Sequence, residues 1–215
     1  MPLRLHAITL ADGSADEALG DGRPSRAIDL SHIAFRELSA VVSDQPSFAP
    51  VNATTDVVAK HRAIVDAAFR RGAVLPAPVG VVFRSIEVLS RWIELHYVTL
   101  TGALEFVEDR SAARVHMVRA DGKLDDHVPD TDLAAQAAEA ARAIRRRAVA
   151  GMPLRPDPRP DNSGLELGSA FLVETVAWND FIAAVAEQQD AHHLLRFEVT
   201  GPWAPYDFVR MQFGG

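Results

Sequence analysis

The sequence predicts an α+β protein made of two small domains, each a mainly antiparallel sheet with helices packed on it. Short apolar runs with period-two alternation indicate strands, and segments with helical apolar spacing lie between them. The chain has 215 residues, of which 48% are apolar and 24% are charged, so it can bury two modest cores. Because strands and helices alternate without long apolar runs typical of buried parallel strands, α+β layers are favoured.

The first half begins with a predicted strand over residues 3–10, where apolar and polar residues alternate. Two short apolar runs follow and predict neighbouring strands over residues 27–33 and 37–43. Thr54 or Thr55 is a suitable N-cap for a helix over 56–71, and Ser85 for a second helix reaching Leu100.

Between these helices, the segment AVLPAPVGVVF is rich in strand-forming residues but carries two prolines, Pro76 and Pro78. Proline has no N–H to donate to a neighbouring strand, so it is confined to sheet edges. We therefore expect an edge strand that runs into Val81–Phe83.

The second half predicts strands, helices and strands in the order of a ferredoxin-like domain. The predicted elements are strands over 104–108 and 114–119, an alanine-rich helix over 131–150, a strand over 169–176, a helix over 178–189, and a strand pair over 194–200 and 207–212. We place the domain boundary between residues 103 and 104, giving domains 1–103 and 104–215.

Composition excludes several classes of protein. The chain has no cysteine, which excludes disulfides, thiolate metal sites and cysteine nucleophiles. A formal charge of −7 argues against a general nucleic-acid binder, which needs clustered basic residues. No secretory signal and no stretch long enough to span a membrane are visible. We expect a soluble cytoplasmic protein.

No constellation typical of catalysis appears. The eight histidines have no metal-ligand spacing, and no phosphate-binding glycine loop or nucleophile elbow occurs. The acids Asp125, Asp126, Asp157 and Asp161 lie in predicted loops. The run Arg145–Arg147 suits a helix C-terminus, or alternatively an acidic partner. We predict no catalytic residue, cofactor or metal site, and no enzyme.

The most distinctive segment is LLRFEVTGPWAPYDFV, residues 194–209. Trp203 and Tyr206 lie in a turn framed by prolines. Such aromatic residues either close the end of a sheet or serve as exposed anchors for a partner. The sequence leaves both interpretations open.

This segment resembles the TGPWPPYSFV-like ending of the gas vesicle protein F/L (GvpL/GvpF) family. Further similarity follows in the same order along the chain. ELSAVVSD resembles the family's early strand, KHRAIVDAAFRRGAVLPAPVGVVF its helix and VLPLRFGTVF-like strand, and SAFLV its AYLV strand. The sequence departs from that pattern at Pro78, Val79 and Val81, which replace the family's arginine, phenylalanine and threonine.

The resemblance implies an accessory or minor structural protein of gas vesicles with two α+β domains. It implies binding to the hydrophobic shell subunit and to other accessory proteins during nucleation and assembly, with location in the cytoplasm and at the gas vesicle. It implies neither nucleic-acid nor membrane partners. An exposed apolar patch would serve such binding, and the residues we predict for it are Trp203, Tyr206, Phe208, Val79, Val81 and Phe83.

An alternative is a ferredoxin-like ligand-binding protein or enzyme unrelated to vesicles, because this fold hosts many activities. It would need a pocket with converging polar groups, for example His96, His116, Arg119 or Glu198.

Overall fold

A computed structural model describes residues 1–11, 30–120, 130–155 and 166–209. The chain forms two compact units. The first comprises Met1–Glu108 together with the segment from Ala204 onward, and the second comprises Asp109–Trp203. The division into domains 1–103 and 104–215 stays a prediction.

The first unit extends beyond residue 103 because its second helix is longer than the sequence suggested. The apolar run at 104–108, interpreted above as a strand, instead continues the helix, which ends at Val107. Leu104 and Val107 continue the buried face of that helix, so helical packing determines the structure of this run.

The described part of the first unit holds a five-stranded sheet and two helices. Their bounds are β1 (Leu3–Leu10), β2 (Leu30–Phe35), β3 (Leu38–Asp44), α1 (Thr55–Phe69), β4 (Val74–Pro76), β5 (Val82–Phe83) and α2 (Ile86–Val107). β1 lies at the centre and pairs antiparallel with β3 on one side and with β4 and β5 on the other, and β2 continues the sheet beyond β3. The predicted helix caps are confirmed, because Thr54 accepts from the N–H of Val57 and Ser85 from that of Val88, each at 3.4 Å.

The two helices of this unit cover opposite faces of the sheet. Alternate residues of β3 belong to different cores. Leu38, Ala40 and Val42 pack in one cluster with α2, whereas Val41 packs with Ile64 and other residues of α1. The central strands are therefore buried on both faces, unlike a sheet with helices on one face only.

The second unit has the ferredoxin-like topology predicted from the sequence. Its elements are β6 (Arg110–Arg119), α3 (Asp130–Arg145), β7 (Ala150–Pro153), β8 (Glu166–Glu174), α4 (Trp178–Ala191) and β9 (Leu195–Trp203). The strand order β7-β8-β6-β9 is antiparallel throughout. One face carries both helices, because Val115 and Phe171 pack in one cluster with Ile144 of α3 and Phe181 of α4.

Two further predicted elements differ from the observed ones. The alanine-rich helix ends at Arg145 rather than near residue 150, where β7 begins. No strand forms over 207–209, and residues 210–212 of that predicted strand lie outside the described range. Residues 27–29 of the predicted second strand also lie outside it, as do Asp125, Asp126, Asp157 and Asp161.

β9 continues through Gly201 and Pro202, where the sequence suggested a break. The pairing with β6 shifts its register between Ala112 and Arg114 to accommodate them. Gly201 has φ +133°, and a Cβ there would lie 2.8 Å from the carbonyl oxygen of Ala112 and 2.9 Å from Cη2 of Trp178. Only glycine fits this position without strain.

We expect Gly201→Ala to lower the free energy of unfolding by about 2 kcal/mol or more, because it combines an unfavourable φ with a backbone clash. Urea unfolding measures the change. Gly72→Ala is the matched control, since a Cβ at Gly72 would meet nothing within 4 Å. An equal effect of both substitutions would contradict the packing described at Gly201.

Candidate functional site

The predicted edge strand is an edge of the first sheet. Among the described strands, β4 and β5 pair only with β1, with Pro76 opposite Ala7 and Phe83 opposite Leu3. The connection between them is also bonded to β1. The N–H of Ala77 donates to the carbonyl of His6, and that of Leu5 to the carbonyl of Val81, each at 2.9 Å. With Pro76 and Pro78 lacking N–H groups, this edge has few donors for another strand.

The three predicted site residues on this edge differ in exposure. Val79 and Val81 are half-buried, and Val81 packs against the core between the sheet and α2. Phe83 is only 9% exposed, and its ring centroid lies 5.6 Å from that of Trp92. Phe83 is thus a core residue, because its side chain points to the face that α2 covers. The expectation that it contributes to an exposed patch is corrected accordingly.

The three C-terminal aromatic residues belong to different units. Trp203 ends β9 in the second unit, opposite Ala112, and is half-buried. Tyr206 and Phe208 belong to the first unit and are also half-buried. The N–H of Phe208 donates to the carbonyl of Pro205 at 3.0 Å, which forms a turn.

Tyr206 packs against the core on the α1 side, beside Ile64 and Val65. Its hydroxyl is buried and has no hydrogen-bond partner within the described part of the chain. Burial raises the pKa of Tyr206 well above its usual value, with a further contribution from Asp66 that Arg62 opposes. The hydroxyl therefore stays neutral, and the ring holds the returning C-terminal segment against α1.

A buried polar cluster lies in the first unit that the sequence did not reveal. It consists of Arg4 and His6 on β1, Ser43 on β3 and His61 on α1, all of them buried. His6 Nδ1 lies 3.2 Å from His61 Nδ1, and His6 Nε2 lies 2.9 Å from Ser43 Oγ. His61 Nε2 lies 2.9 Å from the carbonyl oxygen of Ala77. His6 and His61 are 55 positions apart, and only the polar residues within an otherwise apolar first strand could have indicated the cluster.

The bonding partners fix one arrangement of protons. A carbonyl only accepts, so His61 Nε2 carries a hydrogen and donates it to Ala77. In a neutral imidazole, Nδ1 of His61 is then the acceptor, so Nδ1 of His6 donates to it. Nε2 of His6 in turn accepts the hydroxyl hydrogen of Ser43. Both histidines are neutral in this chain of hydrogen bonds.

Charge and burial favour the same neutral state. Burial, together with smaller contributions from the nearby His61 and Arg4, lowers the pKa of His6 to about 3. Burial also lowers the pKa of His61. The hydrogen bond of His61 to Ala77 opposes this shift, and the charge of Arg4 adds to it. Arg4 is itself buried, and its Nε and Nη2 atoms have no hydrogen-bond partner in the described residues. The cluster therefore ties β1, β3 and α1 together, and it lies away from solvent.

The polar residues of the alternative interpretation are divided between the two units. His96 lies in the first unit, stacked on Trp92 at 4.8 Å, and its Nδ1 donates to the Trp92 carbonyl at 2.8 Å. His116, Arg119 and Glu198 lie in the second unit, where His116 is opposite Glu198 in the β6–β9 register. Glu198 forms an ion pair with Arg196 at 2.9 Å.

The described ranges hold neither a candidate metal site nor a candidate membrane-spanning helix. Across them, no group of three histidine, cysteine, aspartate or glutamate residues is arranged to hold a metal ion. None of the described helices is long and apolar enough to cross a bilayer. Of the arginine run, Arg145 donates from Nη1 to the carbonyl of Ala148 at 2.8 Å, which completes the end of α3.

The His6 cluster predicts acid-sensitive stability. Above the unfolded pKa of 6.5, His6 is neutral in both states and its ionisation contributes nothing. Between this pKa and the folded-state pKa of about 3, His6 binds a proton in the unfolded chain but not in the folded one. Stability should therefore fall across that window, by roughly 2 kcal/mol from this residue at about pH 5. Urea unfolding at about pH 7.5 and about pH 5 measures the loss.

The replacement His6→Gln removes the titration and should reduce this pH dependence. His193→Gln is the control, because His193 is exposed on the second unit. If the stability of His6→Gln depends on pH as strongly as that of His193→Gln, the interpretation is wrong.

Comparison with known proteins agrees with this fold. The model of the family described as gas vesicle synthesis protein GvpL/GvpF matches residues 5–152 and 133–210. Over 217 aligned residues, the chain is 27% identical to gas vesicle protein F2 of Halobacterium salinarum, covering 98% of this chain and 94% of that protein.

Two crystal structures share the architecture. The gas vesicle protein GvpF from Anabaena sp. PCC7120 matches with a TM-score of 0.78, and that from Microcystis aeruginosa with 0.72. Each is 13% identical to this chain, and each comparison covers 98% of this chain and 99% of the other. At that identity the likeness concerns the fold, and membership rests on the family match along most of the sequence: the chain belongs to the GvpL/GvpF family of gas vesicle synthesis proteins.

Proposed function

We propose that this chain is an accessory protein of gas vesicle assembly that binds the hydrophobic shell subunit and other accessory proteins in the cytoplasm and at the vesicle. The observation that carries the proposal is the family match over residues 5–152 and 133–210, which takes in both units. A shell subunit with a large apolar surface needs that surface covered before it assembles.

The β4–β5 edge supports a contact made by side chains. Val79 and Val81 are half-buried there, so each leaves part of an apolar side chain accessible. The two prolines remove N–H donors, which makes extension of the sheet by a partner strand unfavourable at this place. We therefore assign the edge an apolar contact with the shell subunit rather than a shared ladder of backbone hydrogen bonds.

Two of the C-terminal aromatic residues, one on each unit, remain separate candidates for further contacts. Trp203 and Phe208 are half-buried, and aromatic side chains contribute strongly to protein interfaces. Tyr206 has a different role in this proposal. Its buried hydroxyl and its packing on α1 mean that it positions the C-terminal segment and exposes little of its own ring.

Co-expression with the shell subunit tests the function. We expect the wild-type chain to keep the subunit in the soluble fraction and to be recovered with it on affinity capture. Val79→Asp should lower the recovery at least about tenfold, because it places a charge in an apolar contact. Trp203→Ala tests the contact at Trp203 in the same assay.

Val176→Asp is the matched control, since Val176 is 92% exposed and lies outside the proposed surface. Each variant is first shown to keep the wild-type urea midpoint. If the wild-type chain neither solubilises nor captures the subunit, the proposed function is wrong. If it does so and Val79→Asp and Trp203→Ala behave like Val176→Asp, the function stands and the assigned surface is wrong.

A further inference from the structure

The outer face of α2 carries an apolar stripe that the fold does not use. The helix buries Leu89, Ile93, Leu100 and Leu104 against the sheet. At 3.6 residues per turn, residues 91, 95, 98, 102 and 105 lie on the opposite side. Within this outer stripe, Leu95 is 73% exposed and Val98 is 82% exposed.

Gly102 is the second unusual feature of the outer stripe. A glycine inside a helix is less favourable than alanine by about 1 kcal/mol. A Cβ at Gly102 would meet no heavy atom within 4 Å, so packing within the chain does not require glycine here. The position leaves space on the helix surface, one turn beyond Val98, where another chain could approach closely.

The charges of the outer stripe are arranged symmetrically about Val98. Arg91 lies seven residues before it and Glu105 seven residues after it, each about 10 Å along the helix axis. In an antiparallel pair of identical helices with Val98 on the two-fold axis, Arg91 of each copy faces Glu105 of the other. Leu95 of each copy then lies over the space left by Gly102 of the other.

We propose that two copies of this chain associate through α2, antiparallel, with Val98 at the two-fold axis. The charge pattern favours a second copy as the occupant, because one stripe supplies both partners of each ion pair and a parallel pairing would oppose like charges. A contact of one helix face per copy is small, so we expect a dissociation constant on the order of 10 to 100 μM.

Charge reversal tests the pairing on the full-length chain by sedimentation equilibrium. We expect Arg91→Glu alone and Glu105→Arg alone each to weaken the dimer roughly tenfold, because each reversal opposes like charges twice. The double variant should restore wild-type association. A wild-type chain that stays monomeric up to about 1 mM would overturn the proposal, as would a double variant no stronger than the single ones.

Cysteine crosslinking tests the register, since the natural chain contains no cysteine. Val98→Cys should give a disulfide-linked dimer on mild oxidation, because both copies of residue 98 meet at the axis. Glu87→Cys is the matched control: it is also exposed on α2, but in this register its two copies lie roughly 33 Å apart. Equal crosslinking at both positions would refute the register. Crosslinking of Val98→Cys only to a different vesicle protein would assign the stripe to that protein instead.

Discussion

The structure of the first unit depends on the burial of β1 along both its edges and both its faces. It pairs with β3 on one side and with β4 and β5 on the other, while α1 and α2 cover the two faces. A strand so enclosed should be wholly apolar, yet β1 carries Arg4 and His6. His6 donates to His61 and accepts from Ser43, and these hydrogen bonds satisfy its side chain and join three elements. They also make the neutral form of the histidines a condition for stable packing.

The same enclosure explains how the surfaces of this unit differ. β3 on one side and β4–β5 on the other leave β1 no free edge, so among the described strands only β2 and β4–β5 lie where a partner strand could pair with the sheet. The prolines at 76 and 78 remove donors from one edge, which favours side-chain contact there. The outer face of α2 faces neither core, so its apolar residues serve no packing role within the described fold. Function in this unit is therefore expected at its surfaces rather than in its interior.

Local chemistry made much of the fold predictable, and long-range contacts account for the rest. The caps at Thr54 and Ser85, the edge position of the proline-containing strand and the ferredoxin-like order of the second unit follow from short-range patterns. The extension of α2 to Val107 could not be predicted in this way, since an apolar run of five residues suits helix and strand alike. The continuation of β9 through Gly201 depends on its pairing with β6. The exposure of each candidate site residue, and the pairing of His6 with His61, depend on tertiary contacts that one sequence does not display.

The two proposed contacts of the first unit use different residues, and this difference has a physical consequence. Val79 and Val81 belong to the sheet edge, whereas Leu95, Val98 and Gly102 belong to the outer stripe of α2, so neither contact occupies the side chains of the other. A dimer formed through α2 would carry two copies of the edge. For a partner that is itself a repeating shell, two linked sites bind more tightly than either alone, because the second binding event occurs at high effective concentration. Weak self-association through α2 would thus strengthen attachment to an assembled shell far more than to a single free subunit.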